Sequence, residues 1–130
     1  MTRARILLAD DHKEMRDSVV RLLEHEFEML EPVEDGRALL IAEAILKPDL
    51  CLLDISMPII NGIEAATQLK QSGSTAKVVF LTIHEDLDFV QAAFKTGALG
   101  YVVKSRIATE LRAALREVLA GRKFVSSSVG

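Results

Sequence analysis

Short apolar runs alternate with longer amphipathic stretches along the whole of this chain, and nothing else in it constrains the fold as strongly. A strand buried on both faces reads as an unbroken apolar run, and a helix laid on a sheet reads as an apolar stripe with a polar back. Their alternation predicts a parallel sheet with helices on its faces. The strand candidates are residues 5–9, 27–33, 50–53, 77–81 and 100–103. Between them Met15, Val19, Leu22 and Leu23 form one helical stripe, Leu87, Val90 and Phe94 another, and Leu111, Leu115, Val118 and Leu119 a third. Gly36, Gly62, Gly97, Gly100 and Gly121 fall near the element ends, where caps and tight turns favour a residue without a side chain.

Pro32 lies inside the second strand candidate. A residue with no N–H is tolerated there only at a sheet edge or a strand end, so the second strand is expected at the edge. With right-handed crossovers and helices on both faces, this predicts a doubly wound, flavodoxin-like five-stranded parallel sheet in the order 2-1-3-4-5.

At 130 residues the chain has room for one domain. With 49% hydrophobic residues, five Phe, one Tyr and no Trp, its core must be aliphatic. A formal charge of -3 argues against direct nucleic-acid binding, which needs a basic excess. Cys51 is the only cysteine, so no internal disulfide forms, and within its apolar run it reads as a small buried hydrophobe. With no signal-like leader and no run of transmembrane length, the expected location is the cytoplasm, with no membrane partner. Residues 1–124 are read as the folded unit, and the serine-rich 125–130 as the start of a linker or flexible tail.

Polar residues follow the strands: Asp10 and Asp11 after the first, Asp54 after the third, Thr82 after the fourth and Lys104 after the fifth. In a parallel sheet these ends share one rim, and strands one and three are neighbours at the switch point. Taken singly, Asp10 and Asp11 read as caps of a following helix, Thr82 as a turn residue and Lys104 as a solvated surface charge. Taken together, three carboxylates repel unless a cation joins them, and oxygen ligands of this hardness suit Mg²⁺. Zinc is disfavoured, because His12, His25 and His84 lack zinc-site spacing. A carboxylate beside a divalent cation and facing an ammonium can attack phosphorus. Asp54, ending the most buried strand, is the natural nucleophile, with Thr82 and Lys104 available to the phosphoryl oxygens.

The stretches "LLADDHKEMR" at 7–16, "LLDISMPIINGIEA" at 52–65, "VVFLTIHED" at 78–86 and "GALGYVVKS" at 97–105 resemble the receiver domain of two-component response regulators. "TIHED" and "AGRKFVSSSVG" are similar to the subfamily whose receivers precede a LuxR-type helix-turn-helix effector. The resemblance implies that Asp54 is the phospho-acceptor for a sensor histidine kinase. It implies that Mg²⁺ is held by Asp11 and Asp54, by the Ser56 carbonyl and by Asp10 through water. It further implies a switch in which Thr82 moves toward the phosphoryl group and Tyr101 turns inward, changing the surface of the fourth helix, fifth strand and fifth helix. That surface would control a partner, a phosphorylation-dependent homodimer or an effector domain absent from this chain, with DNA reached only through the effector. Such a domain is a signalling device that catalyses only its own phosphorylation and dephosphorylation.

The chain departs from the family pattern at Ile83, after the switch threonine, where many receivers have a small residue. Ser105 follows Lys104 where many have proline, so no cis bond is assumed there. Ser56 and His84 stand at variable positions, and His84 is read as screening the site. The alternatives are a Mg²⁺-dependent phosphohydrolase, which the short loops and missing second acid disfavour, and a phosphorylation-independent interaction module. A nucleotide-binding reading fails on the absence of G-x-G-x-x-G and P-loop patterns among the seven glycines.

Overall fold

The computed structural model describes residues 2–129. Six parallel strands form one sheet in the order β2-β1-β3-β4-β5-β6: β1 Arg5–Ala9, β2 Glu28–Met29, β3 Leu50–Leu53, β4 Lys77–Thr82, β5 Gly100–Val103 and β6 Phe124–Val125. The helices are α1 Lys13–Leu23, α2 Gly36–Leu46, α3 Gly62–Gln71, α4 Leu87–Lys95 and α5 Ile107–Leu119, and a single 3₁₀ turn, Lys104–Arg106, joins β5 to α5.

Period-two alternation along the central strands sorts their side chains onto two cores. Leu7, Ala9, Cys51, Leu53, Phe80 and Tyr101 face α2, α3 and α4, whereas Ile6, Leu8, Leu50, Leu52, Val79 and Val102 face α1 and α5. Because β3 is covered on both faces, all four of its residues are buried, as its unbroken apolar run requires. Cys51 is fully buried, and burial, reinforced by the charge of Glu43, pushes its thiol up to about 12. It is an inert core residue, as expected.

The doubly wound parallel sheet agrees with the sequence reading, but the strand count is corrected from five to six. The closing segment contains only one obvious apolar pair, too short to register as a strand. Gly121 has φ +87°, a conformation L side chains rarely adopt, and it turns the chain out of α5 and back along the free edge of β5. There Gly100 pairs with Phe124 and Tyr101 with Val125. β6 thus crosses the boundary expected between 124 and 125, and Ser126 beyond it is only 3% exposed.

The second strand does lie at an edge, but it is much shorter than 27–33. Its ladder stops after Met29, and the chain touches β1 again at the Ala9–Val33 bridge, with Pro32 in the gap where no N–H is available. Leu87 is corrected as well: it is the first residue of its helix and is 55% exposed, whereas Val90 of the same stripe is buried.

Candidate functional site

The carboxyl ends of β1, β3, β4 and β5 bring Asp10, Asp54, Thr82 and Lys104 to one rim. Parallel pairing sets Ala9 opposite Leu53, so Asp10 and Asp54 leave adjacent strands at the same level. Both acids are buried, Asp10 wholly so. Lys104 reaches back from the end of β5 and places Nζ 2.9 Å from Asp10 Oδ2 and 3.1 Å from Asp54 Oδ2. Only the Asp54 contact has the angles of a hydrogen bond. Asp10 Oδ2 is thus held at ion-pair distance but remains a buried oxygen with no hydrogen-bond donor.

Local backbone fixes the remaining carboxylate oxygens. Asp10 Oδ1 accepts from the N–H of His12 at 2.9 Å, and Asp54 Oδ1 from the N–H of Ser56 at 3.2 Å. Each is a side chain folded onto the amide two residues ahead, the turn that aspartate favours after a strand. Burial raises the pKa of Asp54, and the charge of Lys104 only partly offsets it. Burial would lower that of Lys104, but the two carboxylates outweigh it and hold the ammonium charged above its usual range.

Asp11 is exposed, and His12 lies between the two N-terminal acids, with Nδ1 3.1 Å from Asp11 Oδ1 and 3.5 Å from Asp10 Oδ1. Asp10, Asp11, His12 and Asp54 can each offer one ligand atom within 4.8 Å of the others. His12 carries no zinc-site spacing, and its only signal was adjacency to the acid pair. It is also the N-cap of α1 but makes no side-chain cap bond, so neither acid caps that helix in the ordinary way. Ionised together, the three clustered carboxylates outnumber the one ammonium, Lys104, that pairs with two of them, and an oxygen-rich set with surplus negative charge suits a hard divalent cation. Asp10 Oδ2, buried and at ion-pair distance from the Lys104 ammonium, belongs to the same oxygen-rich set.

Across the rim, Thr82 is fully buried, and its Oγ1 accepts from the N–H of His84 at 3.2 Å. The Thr82 hydroxyl hydrogen is left free to donate. Tyr101 is fully buried and donates from its hydroxyl to the His84 carbonyl at 2.8 Å. Burial, followed by the charge of Asp86, pushes its phenol up to about 12, so it stays a donor. Tyr101 thus already points inward in this structure, whereas the sequence reading makes the inward turn a part of the switch.

His84 also makes contacts that sequence reasoning missed. Its ring stacks on Phe89 with centroids 4.0 Å apart, and its Nε2 lies 3.2 Å from Ser56 Oγ. It therefore ties the loop after β3 to the loop after β4 instead of merely screening the rim. Ile83 is 69% exposed beside it. The chain continues from Lys104 to Ser105 without a cis bond, none occurring among the described residues.

Comparison with known proteins defines the class. The response regulator receiver domain model matches residues 6–116, and the chain belongs to that family. It is 38% identical to the transcriptional regulatory protein DegU of Brevibacillus brevis over 95% of this chain and 53% of that protein. To the response regulator GacA of Pseudomonas aeruginosa it is 34% identical, over 96% of this chain and 59% of that protein. The chain thus spans little more than half the length of these relatives. A LuxR-family two-component response regulator from Aurantimonas superposes with a TM-score of 0.93 at 32% identity, over 98% of this chain and 93% of that one. This protein is therefore a receiver domain of the LuxR type, a signalling protein rather than a classical enzyme. Among the described residues no helix is long and apolar enough to cross a membrane.

Proposed function

We propose that Asp54 accepts a phosphoryl group from the histidine of a sensor kinase, and that the resulting charge operates a switch. The observation that carries this reading is the Lys104 ammonium held at 2.9 and 3.1 Å from two buried carboxylates on neighbouring strand ends. In the transfer a carboxylate oxygen of Asp54 forms a bond to phosphorus as the P–N bond of the donor breaks. The imidazole nitrogen leaves with that electron pair and takes a proton. Lys104 neutralises a developing phosphoryl oxygen, and Thr82 donates its free hydroxyl hydrogen to another. Asp10, Asp11, Asp54 and the Ser56 carbonyl would hold Mg²⁺, which when bound supplies positive charge opposite the phosphoryl oxygens.

A phosphoryl group adds about -1.5 to -2 charges at the rim. It shifts the population only through contacts that differ between conformers, and Thr82, bonded to His84, which in turn holds Tyr101, is the shortest route for such a difference. Tyr101 is already inward, so phosphorylation on this reading stabilises that arrangement by drawing in Thr82. The outlet is the surface of α4, β5 and α5, used by a partner or in pairing two copies of the chain. DNA would be reached only through an effector segment, as the transcriptional role named for the DegU relative suggests, and the setting would be the cytoplasm.

Single-turnover behaviour separates this function from a phosphohydrolase. With phosphoramidate and Mg²⁺ the protein should take up at most one phosphoryl group per chain and release phosphate slowly, at the rate that Asp54 loses it. Rapid steady turnover of a phosphate ester would instead identify an enzyme, and no uptake in millimolar Mg²⁺ would leave a phosphorylation-independent module.

A further inference from the structure

The segment after α5 is built into the molecule in a way that a solvated linker would not be. Ser126 donates its N–H to the Tyr101 carbonyl at 2.9 Å, continuing the ladder of β6. Its hydroxyl then bridges two elements, accepting from the Val103 N–H at 2.9 Å and donating to Glu110 Oε1 at 2.7 Å. Ser127 donates to Glu110 Oε2 from its hydroxyl at 2.8 Å and its N–H at 3.3 Å. Arg106 completes the clasp, with Nη2 3.2 Å from Ser127 Oγ and 3.4 Å from Glu110 Oε2. The edge amide of Val103, which would otherwise face water, is satisfied by a buried serine side chain.

The clasp and the phosphorylation rim share one short piece of backbone. The 3₁₀ turn Lys104–Arg106 begins with the lysine that touches Asp10 and Asp54 and ends with the arginine that touches Glu110 and Ser127. Val103, immediately before it, is bonded to Ser126. Within this turn the two residues are only two positions apart, so a backbone shift at Lys104 bears directly on Arg106. Lys104 Nζ now lies against the Asp54 carboxylate itself, so a phosphoryl group on that carboxylate must push the ammonium outward to one of its own oxygens.

We propose that residues 124–127 form a strap, clasped to α5 by Glu110 through Ser126 and Ser127, which lets go of the sheet edge when a phosphoryl group on Asp54 displaces Lys104. This rests on Asp54 being the acceptor. Release frees the edge of β5, uncovers Glu110 on the α5 surface and leaves Arg106 of the adjoining turn without Ser127. Linkage makes the coupling reciprocal, so loosening the strap must favour the phosphorylated state by the same factor.

Amide hydrogen exchange on the full chain in Mg²⁺, with and without beryllofluoride as the phosphoryl mimic, tests the strap. The Ser126 and Ser127 amides should exchange about tenfold faster with the mimic, a mid-range allosteric coupling. Ser126→Ala should bind beryllofluoride about tenfold more tightly than the parent, an effect that a merely structural serine would not produce. Unchanged or increased protection at 126 and 127, with amides beside Asp54 and Thr82 responding, would overturn the strap and leave the acceptor reading standing. An unaltered beryllofluoride affinity in Ser126→Ala would also overturn it. If beryllofluoride perturbs no amide near Asp54, the acceptor assignment itself falls, and the strap with it.

Discussion

Lys104 compensates two carboxylates that water reaches poorly, and its own side chain is only 9% exposed. Removing one partner of a buried ionic cluster strands the others. Lys104→Met should therefore destabilise the fold by about 3 kcal/mol in urea unfolding at pH 7. Adding Asp10→Asn should restore part of that loss, because the pair of acids left behind is reduced to one. A double variant as unstable as the sum of the single changes would show that Lys104 does not compensate Asp10. Glu110 offers a second check. Burial would raise its pKa, but hydrogen bonds from Ser126 and Ser127 and the charge of Arg106 outweigh that and hold it below the usual carboxylate range. A lowered folded pKa contributes stability that is present above the unfolded value of about 4.3 and is lost as pH falls through the folded one. The parent should thus lose stability relative to Glu110→Gln as pH drops from about 5 toward 3. Parallel acid-unfolding curves for the two proteins would contradict this.

Element geometry rests on the loop that carries Asp54 into α3. A Cβ on Gly62 would lie 2.2 Å from the Asp54 carbonyl oxygen, so helix and loop approach as closely as they do only because the residue has no side chain. Gly62→Ala should cost about 2–3 kcal/mol in thermal or urea unfolding and should also slow phosphoryl uptake, since the backbone bearing Asp54 must shift. A stable variant with parental uptake would show that the loop yields without moving the acid. At this scale the sequence was legible where the apolar pattern is strong. The runs at 5–9, 50–53 and 100–103 are the strands observed there, and β4 extends by one residue to Thr82. It was less legible at β2, where Pro32 marked the edge but not the early end of the ladder. At Phe124–Val125 two residues carry no period, and only the turn at Gly121 and the docking of Ser126 make a strand of them. The His84 contacts were missed because the one to Ser56 joins separate loops and the one to Phe89 reaches into α4, relations that spacing along the chain does not encode.

On the scale of the whole molecule, the sheet gathers at one rim groups that lie up to 94 positions apart in the chain, from Asp10 to Lys104. This convergence could be anticipated because parallel strands leave all their carboxyl ends on the same side. What composition and pattern could not supply was the pairing among those groups, namely that Lys104 faces one oxygen of each of Asp10 and Asp54 while backbone amides hold the others. Both cores pack against the strands that end at the rim, and on the proposed reading a change there would reach the α4 face through Thr82, His84 and Tyr101, and the α5 face through Lys104 and Arg106. The central claim is that Asp54 is the group modified. The most direct measurement is mass mapping of the chain after brief treatment with phosphoramidate and Mg²⁺. A single phosphoryl group is predicted on the peptide containing Asp54, with none taken up by Asp54→Asn. A phosphoryl group mapped to any other residue, or undiminished uptake by Asp54→Asn, would contradict the account.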